Sequence, residues 1–216
     1  MRKVWMGVFL ALEVVAYALI MTTGGDLLVW SSYCSIVGCF LFALLWRRKG
    51  LLVAGLGCTV IADLFLVVFD PVQRLWGMVA FLCAQSLYAI HLHKGWDRKW
   101  MWWTRGGILA VSQVVTVVVL GGAVDALALV SLAYYAMLIC NLIHALAAGR
   151  RRLSLALVLF LLCDTVIGLQ VAGMGYLPIQ EGSWLHSLLY PGFNLAWMFY
   201  LPSQVLIALE AADVDL

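Results

Sequence analysis

Residues 51–69 read LLVAGLGCTVIADLFLVVF, a run with one charge, Asp63, set between Arg47, Arg48 and Lys49 on one side and Asp70 and Pro71 on the other. A helix of that length rises about 28 Å, close to the hydrocarbon thickness of a bilayer. Seven further apolar stretches of spanning length fall at 4–22, 27–46, 74–92, 104–121, 124–147, 153–172 and 188–209. Eight crossings of about 20 residues use roughly 160 positions, so the 216-residue chain has no room for a soluble domain. Composition agrees: 65% of residues are hydrophobic and 11% charged, against about 25% charged in soluble domains. Lipid cannot satisfy free backbone N–H and C=O groups, and the ten-residue alternation of a barrel is absent. The expected fold is a single transmembrane domain over residues 1–216, an all-α integral membrane bundle of eight helices.

The basic residues set the expected orientation. Arg2 and Lys3, then Arg47, Arg48 and Lys49, then Lys94, Arg98, Lys99 and Arg105, then Arg150, Arg151 and Arg152 all fall on one side, 12 of the 13 in the chain. The other side holds Arg74 with Asp26, Asp70, Asp125 and Glu181. By the positive-inside rule both termini are cytoplasmic, and the expected location is a bacterial cytoplasmic membrane crossed many times. Trp96, Trp100, Trp102 and Trp103 read as headgroup anchors. Arg2, Lys3 and the apolar run to Ala18 imitate a signal peptide, but Glu13 interrupts that run and it continues to Met21, which favours a span. The net charge of +2 suggests no nucleic-acid surface. Six cysteines inside the spans, in no CxxC arrangement, read as small buried residues.

Three acids stand in mid-span: Glu13, Asp63 and Asp164. Each costs roughly 2.5–3.5 kcal/mol near a helix centre on insertion scales, and such residues usually face the bundle interior and mark function. Counting the rise from the basic side puts them at about 14, 18 and 16 Å, so they can meet on one level. Gln85 and Tyr88, Asn141 and His144, and Tyr200 and Gln204 reach the same half of the membrane from spans running the other way, and Gln113 can join them. The expectation is a buried polar cavity. Asn141, Gln113 and Glu13 have an equally simple use in bonding neighbouring helices.

Two buried carboxyls at one depth repel unless they share a proton or act as a pair. One can then donate a proton while the other activates water. Hydrolysis through an oxocarbenium-like cation needs only such a pair, as in glycosidases, and a protonated vinyl ether passes through the same kind of cation. A lipid-tailed substrate explains its placement in a bilayer.

The residues also resemble a family. Thr59-Val60-Ile61-Ala62-Asp63-Leu64-Phe65-Leu66, the segment from Gly77 to Tyr88, Phe160-Leu161-Leu162-Cys163-Asp164 and the segment from Phe199 to Ile207 are similar to the YhhN lysoplasmalogenase family. The resemblance implies an eight-helix hydrolase that cleaves the vinyl ether of lysoplasmalogens to a fatty aldehyde and a glycerophospho-alcohol, with no metal and no cofactor. It places the catalytic pair on Asp63 and Asp164. It places Gln85, Tyr88, Tyr200 and Gln204 in the substrate-binding set, to which the depth count adds Asn141 and Glu13, and the expected partners are a lysophospholipid substrate and the bilayer. Ala62 and Cys163 replace the family's usual Gly and Ser and stay small. Gln85 replaces a usual His; glutamine can position a group but cannot carry a proton near neutrality.

Rival readings remain. A zinc hydrolase needs several histidines at one depth, whereas His91 and His93 point to different sides of one helix. Paired carboxylates also suit a proton-coupled transporter, for which Pro178, Pro191 and Pro202 would break the last span while span three stays unbroken before Pro71. A non-catalytic lipid-binding protein is the third. The loop residues Arg47, Arg48, Arg150, Arg151 and Arg152 are available to a substrate phosphate, although topology alone explains them.

Overall fold

The structure, a computed structural model, describes residues 2–46, 48–175, 179–180 and 182–213. Arg47, Pro178 and Glu181, named in the sequence reading, lie outside them. The described residues form α1 (Arg2–Thr22), α2 (Gly25–Trp46), α3 (Gly50–Asp63), α4 (Arg74–Gly95), α5 (Lys99–Leu120), α6 (Ala126–Ala147), α7 (Arg151–Gly175), α8 (Trp184–Leu189) and α9 (Leu195–Ala212). All but α8 are long and apolar enough to span a membrane, α3 being continued to Val68 by a π-helical turn. The protein is an all-α, multi-pass bundle of eight membrane helices.

Three boundaries differ from expectation for local reasons. Span three is not regular to its end: after Asp63 the chain widens into the π turn Leu64–Val68, closed by Phe69 N–H donating to the Leu64 carbonyl at 3.1 Å. Helix α5 starts at Lys99 rather than 104, so Arg105 lies nearly two turns inside the span and not at its edge. The last span starts at Leu195 rather than 188. Pro191 disfavours a helical residue before it, α8 accordingly stops at Leu189, and the Asn194 side chain restarts the helix by accepting the Trp197 N–H at 3.3 Å.

Helices α2, α3, α4, α6, α7 and α9 pack each on the next and close into a ring, with α3 also meeting α9. Helix α1 lies outside on α2 and α9, and α5 lies outside on α6. The two outer helices are studded with lipid-facing side chains such as Leu12, Val15, Val114 and Val118. Lipid is as apolar as leucine, so the ring is held by close packing and by bonds between helices rather than by hydrophobic burial.

The basic loops gather at one end. Lys49 donates its backbone N–H to the Ala211 carbonyl at 3.0 Å and pairs its ammonium with Glu210 at 2.7 Å and Asp213 at 3.0 Å. Arg152 approaches Glu210 at 4.0 Å, and the Arg150 guanidinium lies against Gly95. The acids closing α9 thus answer two of the loop cations.

Small residues permit the closest approaches. A Cβ on Gly55 would stand 2.2 Å from Cε1 of Tyr88, a fully buried ring. Gly55→Ala is expected to destabilise the fold by about 1–3 kcal/mol through overpacking. Thermal unfolding in detergent measures it against Gly106→Ala, where a Cβ meets nothing within 4 Å. Equal midpoints for the two variants would contradict the Gly55–Tyr88 contact.

Candidate active site

One face of α4 organises the site. Gly77, Phe81, Gln85 and Tyr88 follow one another at intervals of four, four and three residues, which stacks them on a single stripe. Gly77 receives Leu66 of the π turn, since a Cβ there would lie 2.4 Å from the leucine Cγ. Phe81 touches three rings, Tyr134 at 5.5 Å, Phe160 at 5.7 Å and Tyr200 at 6.3 Å between centroids. Tyr88 fills the notch at Gly55.

Around Phe81 stand the two aspartates, each held by a tyrosine from another helix. Tyr200 of α9 donates its hydroxyl to Asp63 Oδ2 at 2.7 Å, and Tyr134 of α6 donates to Asp164 Oδ2. Counted from the basic end at 1.5 Å per residue, Asp63, Asp164 and Tyr134 lie at about 20 Å and Tyr200 at about 18 Å. Both tyrosine rings pack on Phe81, which brings the two carboxyls into one neighbourhood. Asp63 is buried at 3% exposure, whereas Asp164 is only partly covered. Phe160 packs at 5.4 Å from Tyr200 and 6.4 Å from Tyr134, closing an aromatic wall around both acids. Ala62 and Cys163, immediately before the aspartates, are buried to the limit, so small side chains there are a packing requirement.

A second polar cluster lies nearer the basic end. Asn141 of α6 donates from Nδ2 to both the backbone oxygen and Oε1 of Gln85, each at 2.8 Å. Its Oδ1 accepts from Arg105 Nη1 at 2.8 Å. Gln85 is therefore tied to Asn141, and among the described residues its Nε2 finds no hydrogen-bond partner. Tyr88 Oη and Gln204 Oε1, also fully buried, are likewise unpaired among the described residues. Unpaired buried polar atoms are rare and usually face water or a ligand.

Not all of the expected set converges. Glu13 is bonded to α2, accepting from the Ser35 hydroxyl, and Gly38 makes room for its carboxylate. It lines an apolar groove of about 440 Å³ between α1 and α2 that does not include the aspartates. Gln113 donates to the Leu129 carbonyl at 3.4 Å, and Thr59 to the Leu56 carbonyl at 2.7 Å. His93 and His144 meet with centroids 4.5 Å apart, while His91 faces elsewhere, only partly buried. Among the described residues no three metal-binding side chains stand together.

Sequence reading missed Tyr134, Phe160 and the inward role of Arg105. The depth count that grouped the aspartates also reaches Tyr134 when taken from Ala147. Arg105 was hidden among the topology-setting cations of its neighbourhood.

An eight-helix membrane bundle with an aspartate pair in its interior is a narrow class. Residues 45–211 match the model of the YhhN family, and the chain belongs to that family. No curated protein and no solved structure matches it.

Each tyrosine bond can be weighed directly. Tyr200→Phe or Tyr134→Phe leaves a carboxyl short of a donor, at an expected cost of about 1–3 kcal/mol. In a thermal-unfolding cycle with Asp63→Ala, Tyr200→Phe should show a coupling of about 0.5–3 kcal/mol, and Tyr134→Phe the same with Asp164→Ala. Additive losses would mean that the bonds hold nothing.

Proposed function

We propose that the protein is a lysoplasmalogenase-type hydrolase acting on the vinyl ether of a lysophospholipid. The observation that carries the reading is the pair of tyrosine-held carboxyls, Asp63 and Asp164, at one depth inside the ring of helices. Membership of the YhhN family supports it.

In the proposed reaction one aspartic acid gives its proton to the β-carbon of the vinyl ether. The double-bond electrons form the new C–H bond, and the ether oxygen stabilises the resulting oxocarbenium cation. The other aspartate takes a proton from water as that water adds to the cation, giving a hemiacetal. Collapse of the hemiacetal breaks the C–O bond, releasing the aldehyde, and the glycerol oxygen leaves with a proton. One water is consumed and the pair ends with the single proton it began with. Tyr200 and Tyr134 orient the carboxyls. The unpaired atoms of Gln85, Tyr88 and Gln204 are suited to position water and the ether oxygen. The aromatic wall of Phe81 and Phe160 offers π faces to a cation, an interaction favourable in a desolvated site.

The same reading sets the protein in a bacterial cytoplasmic membrane with both termini and the basic end inside, following the positive-inside rule.

Purified protein should release aldehyde from lysoplasmenyl-ethanolamine. Asp63→Asn and Asp164→Asn should each lower kcat by about 100-fold or more, the usual loss on removing an acid or base. A well-folded wild type without activity would overturn the reading, and full activity in both variants would remove this site from it.

A further inference from the structure

Arg105 is 5% exposed and is the seventh residue of α5, about 9 Å of rise inside the membrane from the basic end. A cation in that position is normally answered by a carboxylate or set facing a polar path. Among the described residues no carboxylate pairs with it. The acid of that region, Asp97, is exposed and stands 3.6 Å from His93 Nδ1 instead.

The guanidinium is fixed along one edge only. Its Nη1 donates to Asn141 Oδ1 at 2.8 Å and lies 3.5 Å from the Met137 sulfur, while among the described residues Nε and Nη2 make no hydrogen bond. The vacant edge is the pair of parallel N–H groups that matches two oxygens of a phosphate, and its orientation is already set by Asn141. The imidazoles of His93 and His144, which meet edge-to-face with centroids 4.5 Å apart, are near enough to feel its charge.

We infer that Arg105 is the binding site for the phosphate of an amphiphile, holding its headgroup while the tail-bearing end lies at the aspartates. The aspartates stand about 11 Å of helix rise deeper than Arg105. That gap is of the size covered by a glycerol backbone together with the reach of the side chains at either end. Of the loop cations, Lys49 and Arg152 already face Glu210. The Arg105–Asn141–Gln85 chain then joins headgroup binding to the α4 stripe, so that a bound phosphate and the position of Gln85 are mechanically linked.

The identity of the reacting bond rests on the function proposed above; the phosphate site does not. The test compares kcat/KM for 1-alkenyl-glycerophosphoethanolamine and for 1-alkenylglycerol, which lacks the phosphate, in wild type, Arg105→Gln and Arg105→Lys. Wild type should prefer the phosphate-bearing substrate by about tenfold or more, through KM, and Arg105→Gln should erase that preference. Arg105→Lys keeps the charge without the fork and should retain part of it; this variant decides the matter if the glutamine variant does not fold. Equal losses on both substrates, or an undiminished preference in the variants, overturn the site.

If wild type cleaves neither substrate, the hydrolase reading fails and binding still answers the question. Wild type should bind 1-alkyl-glycerophosphoethanolamine about tenfold more tightly than 1-alkylglycerol, with the difference lost in Arg105→Gln. Inorganic phosphate separates the two sources of the anion. Weak competition supports a lipid-borne phosphate, whereas inorganic phosphate binding as tightly as the amphiphile overturns the headgroup assignment.

Discussion

Two carboxyl groups inside a lipid bilayer must find hydrogen-bond donors within the protein, and the arrangement of this bundle follows from that need. The backbone N–H groups of the same helix are already spent on its own carbonyls, and Thr59, one turn before Asp63, gives its hydroxyl to the Leu56 carbonyl. Tyr200 therefore comes from α9 to Asp63 on α3, and Tyr134 from α6 to Asp164 on α7. Four helices are tied two by two, and α4 supplies the phenylalanine on which three of the rings converge. With little hydrophobic force between helices in lipid, these polar ties and the close contacts at Gly55 and Gly77 give the ring its register.

Span number and class were legible because the bilayer makes a simple demand, about twenty apolar residues in a helix, and residues such as 51–69 meet it openly. Depth was legible too: the rise per residue is constant, so Asp63 and Asp164 could be set at one level before any contact was known. What depth does not contain is azimuth. Glu13 shares the level of the aspartates yet sits on an outer helix and turns toward Ser35. Nearly uniform apolarity removes the periodic signal that would show which way a membrane helix faces. Arg105 illustrates a different loss. A lysine or arginine near a span end is read as a topology signal, and the start of α5 at Lys99 shows that this one lies well below that end.

The site residues on α4 have unequal duties. Gly77 and Tyr88 are matched to Leu66 and Gly55 by shape, while Gln85 is matched to Asn141 by hydrogen bonds to both its backbone and its side chain. A residue held so firmly orients its neighbours well and moves little. The amide offers a fixed acceptor to Asn141, while its Nε2 stays without a partner among the described residues. Pro202 adds freedom nearby: it leaves the carbonyl one turn earlier in α9 without its usual donor, two residues after the tyrosine that holds Asp63.

The π turn after Asp63 has a further meaning for how the sequence can change. Such a turn holds one residue more than an α-helix would place there. Deleting a residue between Leu64 and Val68 would mend the helix locally and turn everything beyond it by about 100°, one residue's share of a 3.6-residue turn. Leu66 would leave the hollow over Gly77 and another side chain would be driven into it. The chain therefore tolerates substitution in this stretch far better than it tolerates a change of length. The spacing between Asp63 and the cap of its own helix is a fixed dimension of the protein, set by the one glycine opposite.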